Sequence, residues 1–101
     1  MIELFYSSTP NGRKVSIMLE EIGFDYKITE IDLSKGEQFN LNFRKISPLS
    51  KIPAIIDHKN KISLFQSGSI LIYLAEISGK FYENENKYRI NEWLMAQMGD
   101  I

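Results

Sequence analysis

Hydrophobic positions along the chain change their spacing several times, and each change predicts a new element. Residues 2–6 alternate Ile, Leu and Tyr with other side chains, as in a short strand. A polar run ends this strand, and Thr9 followed by Pro10 is typical of a helix start. Apolar side chains then recur at helical spacing up to a stop at Gly23. The stripe consists of Val15, Met18, Leu19 and Ile22.

The next two segments predict a second strand and a short helix. Residues 24–33 supply a second strand, which gives a β-α-β unit. Such a unit should have a right-handed crossover and parallel strands. Residues 34–46 are polar and less regular, and they predict one short helix over 40–46.

Two short apolar runs on either side of the polar turn 59–61 predict a β-hairpin. Pro53 stands at the entrance to the first of these strands, where a missing N–H costs least. An ordinary trans proline would fit here. A cis Ile52–Pro53 bond would instead turn the backbone of Ile52 outward, where it could pair with an extended ligand as an added strand.

After the hairpin the spacing becomes helical again, and Ser67 is predicted to be the N-cap of this helix. Its apolar stripe consists of Ile70, Leu71, Leu74 and Ile77. A helix that begins with Ser-Gly-Ser offers free N–H groups to a carboxylate or phosphate, and Gln66 beside it could hold an ammonium. By itself the pattern describes no more than a capped helix.

Residues 85–98 predict one more amphipathic helix near the end of the chain. Its apolar positions are Tyr88, Ile90, Trp93, Leu94 and Met98. The rest of the chain offers few partners for this face. Four explanations of this face stay open. The helix folds back on the first domain, the helix meets another subunit, the chain is a fragment, or the helix frays.

Composition narrows the function classes. The chain has 101 residues, 44% apolar side chains and a net charge of −1, which describes one ordinary globular domain with an appended piece. Its interspersed charges favour neither nucleic acid nor a membrane surface as a partner. No apolar run is long enough to span a bilayer, and no signal peptide is evident, so we predict a cytoplasmic protein.

The reactive side chains are few. The chain contains no cysteine, which excludes disulfides, thiolate nucleophiles and a CxxC redox motif within it. Its one histidine, His58, lies beside the hairpin turn, and we expect no metal site.

The order β-α-β, loop, β-β-α, together with the segments SPLSKIPAIID and FQSGSILIYLAE, resembles the N-terminal domain of cytosolic glutathione transferases. The segments TPNGRKVSIMLEE, KGEQF and ISPLSKIPAI are similar to the bacterial nu-class branch. Members of that branch resemble glutathione-dependent disulfide-bond oxidoreductases and a fungal nitrogen regulator.

The resemblance implies an α/β fold. Residues 1–80 would form a thioredoxin-like β-α-β-α-β-β-α domain with a mixed four-stranded sheet. Residues 81–101 would form a linker and the first helix of a truncated, all-helical C-terminal domain. Proteins of this family are commonly homodimers, so a homodimer is a further expectation.

The resemblance also implies a glutathione site, residue by residue. The backbone of Ile52, ahead of a cis Pro53, would pair with the cysteinyl unit. Gln66 and Ser67 would hold the γ-glutamyl end, and Gln38 and Lys51 the glycyl carboxylate. Thr9 and Asn11 would contact the sulfur and stabilise its thiolate. The neighbouring side chains that compete for this last role are Tyr6, Ser7 and Ser8.

Three functions follow from that site. In the first, the thiolate of bound glutathione, or glutathione disulfide, carries out thiol–disulfide exchange, since no side chain of this chain can form a mixed disulfide. In the second, the thiolate attacks a small electrophile and forms a conjugate. The third is non-catalytic: a glutathione-binding or transferase-like domain that serves assembly or regulation.

Overall fold

Four strands and four α-helices make up most of residues 1–99, the part of the chain that the computed structural model describes. In chain order they are β1 (Ile2–Tyr6), α1 (Pro10–Ile22), β2 (Tyr26–Glu30), α2 (Leu41–Ile46), β3 (Ala54–Asp57), β4 (Ile62–Phe65), α3 (Ser67–Ser78) and α4 (Lys87–Gly99). Short 3-10 helices cover Leu33–Lys35, Glu37–Phe39 and Asn84–Asn86. No helix within residues 1–99 combines the length and apolar character needed to cross a bilayer.

The strands form one mixed sheet in the order β2-β1-β3-β4. Strand β2 runs parallel to β1, whereas β3 pairs with β1 and with β4 in antiparallel fashion. This arrangement confirms the predicted thioredoxin-like order and the mixed four-stranded sheet.

Apolar side chains on the two faces of the sheet form two core clusters. One face packs against α1 and α3 through Ile2, Leu4, Val15, Leu19, Ile22, Ile55, Ile70 and Leu74. The other face packs against α2 through Phe5, Ile31, Phe43 and Ala54. Because side chains alternate along β1, neighbouring residues such as Leu4 and Phe5 serve opposite clusters.

The strand register brings three loops to the same edge of the sheet. Phe5 pairs with Ala54, and Ala54 pairs with Phe65. The chain therefore leaves β1 towards Thr9, enters β3 from Pro53 and leaves β4 towards Gln66 at one edge. Helices α1 and α3 both begin there.

Two sequence predictions were wrong: the length of the second strand and the burial of Ile77. The second strand is shorter than 24–33 because Gly23 in a left-handed conformation ends α1 before it, and Asp32 caps a 3-10 helix after it. Ile77, predicted in the apolar stripe of α3, is 39% exposed because it lies in the last turn, at the rim of an open cleft beside Ile2 and Asp57.

The last helix begins at Lys87, after a 3-10 turn, rather than at residue 85. Its predicted apolar face is divided: Tyr88 and Trp93 are 84% and 73% exposed. Half-buried Ile90, Leu94 and Met98, spaced four residues apart, form the inner stripe, and Met98 contacts the start of α3. Thus the described part of this helix folds back on the first domain. The last two residues of the predicted segment 81–101 lie outside the described residues.

Gly12 allows α1 to begin close to the loop that follows β1. A Cβ atom built on Gly12 would lie 2.5 Å from the carbonyl oxygen of Ser7, which is shorter than any ordinary contact. We therefore expect Gly12→Ala to lower the free energy of unfolding by about 1–3 kcal/mol, as other overpacked substitutions do. Chemical denaturation would measure this loss.

Gly68 provides the matched control, because it also lies in the first turn of a helix. A Cβ there would meet Met98 Cγ at 3.5 Å, an ordinary contact, so Gly68→Ala should leave stability unchanged or raise it. Equal stability changes in the two variants would contradict the steric role of Gly12.

Candidate glutathione-binding site

A cleft of about 370 Å³ lies at the edge of the sheet where α1 and α3 begin. Its lining residues are Thr9, Pro10, Asn11, Leu33, Gln38, Ser50, Lys51 and Ile52. Five of the predicted site residues therefore share one cleft. The eight residues include one cation, Lys51, and no carboxylate, so their charge suits an anionic ligand.

Thr9 and Asn11 occupy the start of α1 in different ways. Thr9 is the N-cap, and its hydroxyl oxygen accepts from the Gly12 N–H at 3.1 Å. The hydroxyl proton has an internal acceptor in the Ser7 carbonyl oxygen at 3.4 Å, a long contact. Asn11 is exposed, and its amide oxygen accepts from Lys14 Nζ at 2.8 Å. Its NH₂ group donates no hydrogen bond within residues 1–99.

The three side chains that competed for the sulfur contact do not line this cleft. Tyr6 packs against the core of the α1–α3 face. Ser7 Oγ donates to the Ile31 carbonyl oxygen at 2.7 Å, and Ser8 Oγ accepts from Arg13 at 3.1 Å. Geometry therefore favours Thr9 and Asn11 over these neighbours.

Ser47 shapes the loop that carries Lys51 and Ile52 to the cleft. Its side chain is fully buried, and its hydroxyl donates to the Lys51 carbonyl oxygen at 2.7 Å and accepts from the Lys51 N–H at 3.2 Å. The Ile52–Pro53 bond is cis, as the glutathione-binding hypothesis required. Among the described residues, the backbone N–H and C=O of Ile52 make no hydrogen bond, so both are available to a ligand.

Gln38 reaches the cleft from the short 3-10 helix Glu37–Phe39. Its side-chain oxygen is buried and has no hydrogen-bond partner in the described part of the chain. Buried polar atoms are nearly always paired in folded proteins. Because an amide oxygen only accepts, an unpaired one beside a cleft is consistent with a ligand that carries a hydrogen-bond donor.

Gln66 and Ser67 lie at the same sheet edge, but neither lines the 370 Å³ cleft. The predicted N-cap was wrong by one residue: Gln66 is the N-cap, its carbonyl accepts from the Ile70 N–H at 3.0 Å, and Ser67 opens α3. The strand ends at Phe65, so the chain turns at Gln66, which adopts a strained φ of +78°. The Ser67 hydroxyl contacts Met98 Sδ at 3.4 Å.

Sequence reasoning missed Ser47, Lys14 and Met98 as neighbours of the site. Buried serines carry no local pattern, but Lys14 lies three residues after Asn11 on a helix, and this spacing could have identified the pair. Within residues 1–99, no group of three or more acidic or histidine side chains is arranged to hold a metal ion.

The parallel β-α-β unit, the antiparallel hairpin and the cis-proline loop beside the start of α1 define a thioredoxin-like domain with a candidate ligand cleft at one sheet edge. Residues 3–76 match the family described as glutathione S-transferase, N-terminal domain. The chain belongs to this family, which confirms the resemblance seen in the sequence.

Individual relatives agree with the predicted branch. The disulfide-bond oxidoreductase YfcG of Escherichia coli is 45% identical over 108 aligned positions, which cover all of this chain and 50% of the relative. The transcriptional regulator URE2 of Saccharomyces cerevisiae is 34% identical over 104 positions, covering 91% of this chain and 28% of the relative. The predicted similarity to oxidoreductases and to a fungal regulator is thereby confirmed.

A solved structure of a relative superposes closely on this fold. A glutathione transferase from Pseudomonas putida, with one glutathione disulfide bound per subunit, superposes with a TM-score of 0.91 at 42% identity. The match covers 97% of this chain and 45% of the other. The chain spans half or less of the length of these relatives.

Proposed function

We propose that this chain binds glutathione in the cleft between α1 and the cis-proline loop, and that the bound thiolate carries out thiol–disulfide exchange. The observation that carries the proposal is the shared cleft of Thr9, Asn11, Gln38, Lys51 and Ile52, which has one cation and no carboxylate. The relative with bound glutathione disulfide supports this ligand, and the relative named as a disulfide-bond oxidoreductase supports this reaction.

Each part of glutathione has a proposed partner. The backbone N–H and C=O of Ile52, ahead of Pro53, pair with the cysteinyl unit as an added strand. The glycyl carboxylate lies near Lys51 and Gln38, and the γ-glutamyl carboxylate rests on the free N–H groups of α3, of which Ser67 is the first residue. The Gln66 side-chain carbonyl holds the ammonium. The sulfur then lies near Thr9 and Asn11.

The reaction needs no sulfur from the protein, which has no cysteine. The thiolate of bound glutathione attacks one sulfur of a disulfide, forms a glutathione mixed disulfide and releases the second sulfur as a thiolate. A second glutathione attacks the mixed disulfide through its own thiolate, which gives glutathione disulfide and releases the other thiol. The chain contributes binding, orientation and stabilisation of the attacking thiolate.

Assays with two kinds of substrate test this proposal. The 101-residue chain is incubated with glutathione and either a small aliphatic disulfide or a chlorinated aromatic electrophile. We expect turnover of the disulfide well above the uncatalysed rate. Turnover of the electrophile alone would replace exchange by conjugation, and binding without any turnover would contradict both enzymatic proposals.

A non-catalytic role is the second candidate, and the URE2 relative favours it. In this case glutathione, or a glutathione conjugate, binds the same cleft and changes an interaction of the protein. A chain that binds S-methylglutathione but leaves disulfides unreacted would support the non-catalytic role.

We also propose that residues 81–101 begin an all-helical second domain, because the relatives that match this chain are about twice its length.

Gln66→Gly should separate binding from folding. Glycine adopts a φ of +78° without steric cost, so relief of about 1 kcal/mol of strain offsets the flexibility that glycine adds to the unfolded chain. The side-chain carbonyl that holds the ammonium is lost, and we expect about tenfold weaker binding of glutathione, equivalent to about 1.4 kcal/mol. Calorimetric titration and denaturant unfolding measure the two effects.

The matched variant is Gln66→Ala, which also lacks the amide but keeps the strained Cβ. It should bind glutathione as weakly as Gln66→Gly while being less stable. Unchanged affinity in both variants would remove Gln66 from the proposed site.

A further inference from the structure

Lys14 joins the start of α1 to the end of α4. Its ammonium donates to the Asn11 side-chain oxygen at 2.8 Å and to the Gln97 side-chain oxygen at 2.7 Å. Asn11 lies one turn earlier on the same helix, whereas Gln97 is 83 residues away in the sequence. This pair of contacts therefore fixes one cationic side chain between two helices.

The contact also determines which way the Asn11 amide faces. A lysine ammonium has donors only, so it must meet the amide oxygen and not the NH₂ group. With the oxygen of Asn11 held by Lys14, the two N–H donors are left for another partner. Asn11 lines the cleft, and within residues 1–99 those donors have no acceptor.

We propose that Lys14 is a positioning residue for the thiolate of bound glutathione: it holds the Asn11 amide so that its NH₂ group faces the sulfur, and Gln97 holds Lys14 in place. This inference rests on the proposed glutathione site. Without Lys14 the amide can rotate and present its oxygen, which repels a thiolate. The last turn of α4 thereby becomes part of the machinery that activates sulfur.

Two other cations near the cleft act differently. Lys51 lines the cleft directly. Arg13 is next to Lys14 on α1, but its guanidinium donates to Ser8 Oγ at 3.1 Å and does not contact Asn11. Arg13→Met therefore removes the same charge from the same helix without disturbing the Asn11 amide.

The test measures the thiol pKa of bound glutathione from the ultraviolet absorbance of the thiolate. For Lys14→Met we expect this pKa to rise by about one unit, which lowers the thiolate fraction at pH 7 about fivefold if the wild-type value is about 7. Gln97→Met should raise the thiol pKa by less than Lys14→Met does. Lys14→Arg keeps a cationic donor, so its thiol pKa should stay close to the wild-type value. Arg13→Met should change the thiol pKa little. Affinity for S-methylglutathione, which has no ionisable thiol, should stay within twofold of the wild type.

A double-mutant cycle with Asn11→Ala separates positioning from charge. Once the amide is absent, Lys14→Met should shift the thiol pKa by much less than it does in the wild type. Equal shifts from Lys14→Met in both backgrounds, or equal shifts from Lys14→Met and Arg13→Met, would show that charge alone acts and would overturn the inference. Because Gln97→Met leaves Lys14 intact, an unchanged pKa in that variant would overturn the role of α4.

Failure of the proposed site gives a different result. If the folded wild type binds neither glutathione nor S-methylglutathione, the site itself is wrong, and the inference about Lys14 fails with it. If the wild type binds both and Lys14→Met leaves the thiol pKa unchanged, only the inference fails.

Discussion

Replacing Thr9 and Asn11 together by alanine should raise the thiol pKa of bound glutathione by about one to two units. The pKa of a free thiol, about 8.5, must fall by about 1.5 units for half of the thiol to be ionised at pH 7, which corresponds to about 2 kcal/mol. The start of a helix supplies about 0.3–1 kcal/mol in most settings. One or two hydrogen bonds to the thiolate, each worth about 1.5–3 kcal/mol, account for the remainder.

We expect unequal shares from the two residues. The Asn11 NH₂ group has no competing acceptor in the described residues, whereas the Thr9 proton already has one in the Ser7 carbonyl at 3.4 Å. We therefore expect Asn11→Ala to cause most of the pKa rise and Thr9→Ala the smaller part. The rate of disulfide exchange at pH 7 should fall about five- to fiftyfold in the double variant, in line with the smaller thiolate fraction.

Controls separate this effect from damage to the helix. Thr9→Ala also removes a helix cap, which costs about 1 kcal/mol, and Thr9→Ser should restore both the cap and the hydroxyl. Ser8→Ala removes a neighbouring hydroxyl that does not line the cleft and should leave the thiol pKa unchanged. A double variant with an unaltered thiol pKa would exclude both residues from thiolate stabilisation.

Asp57→Ala should lower the free energy of unfolding by about 3 kcal/mol. Asp57 is 3% exposed at the end of β3, and its carboxylate joins the hairpin turn to α3. It accepts from the Tyr73 hydroxyl, from the Asn60 side chain at 2.8 Å, and from the N–H groups of Lys59 and Asn60 at 3.1 and 3.2 Å. Each donor left unpaired costs about 1–3 kcal/mol, although water can reach the exposed turn.

Low pH should remove the contribution of the Asp57 carboxylate to the stability of the wild type. Burial raises the pKa of Asp57, but the hydrogen bonds from Tyr73, Asn60 and Lys59 outweigh it and hold the pKa below its ordinary value. A lowered folded-state pKa means that the contribution to stability is complete above the unfolded-state pKa, about 3.9, and is lost as the pH falls through the folded-state value. The stability difference between wild type and Asp57→Ala should therefore narrow below about pH 4.

Thermal unfolding at several pH values measures both effects. About 3 kcal/mol corresponds to a fall in Tm of about 15 °C for a domain of this size. Asp25→Ala is the matched control, because Asp25 is exposed, and its Tm should stay close to that of the wild type. Equal Tm values for wild type and Asp57→Ala at neutral pH would contradict the structural role of Asp57.

The sequence predicted the fold and most of the cleft because these depend on local patterns. Alternating residues in β1, the Thr9–Pro10 helix start and the stop at Gly23 are all visible within a few residues. The resemblance to glutathione transferases then assigned roles to residues that the strand register brings to one edge. The roles of these residues in binding stay predictions.

The errors arose where a tertiary contact overrides a local pattern. Ser67 has the composition of an N-cap, but β4 ends so close to α3 that the turn falls on Gln66 and the Ser67 hydroxyl contacts Met98. Tyr88 and Trp93 fit an amphipathic helix, but they lie outside the stripe that faces α3. No pattern within the sequence could have paired Lys14 with Gln97 across 83 residues.

An amide NMR titration of the chain with glutathione disulfide tests whether glutathione binds at the edge where α1 and α3 begin. We expect the largest shifts around residues 9–12, 51–53 and 66–68, which surround that edge. Residues 57–60, beside the cleft of Met1, Phe24 and Asn60 at the opposite end of the sheet, should change little. Shifts concentrated at that opposite end, or no shifts from a folded sample, would contradict the proposed site.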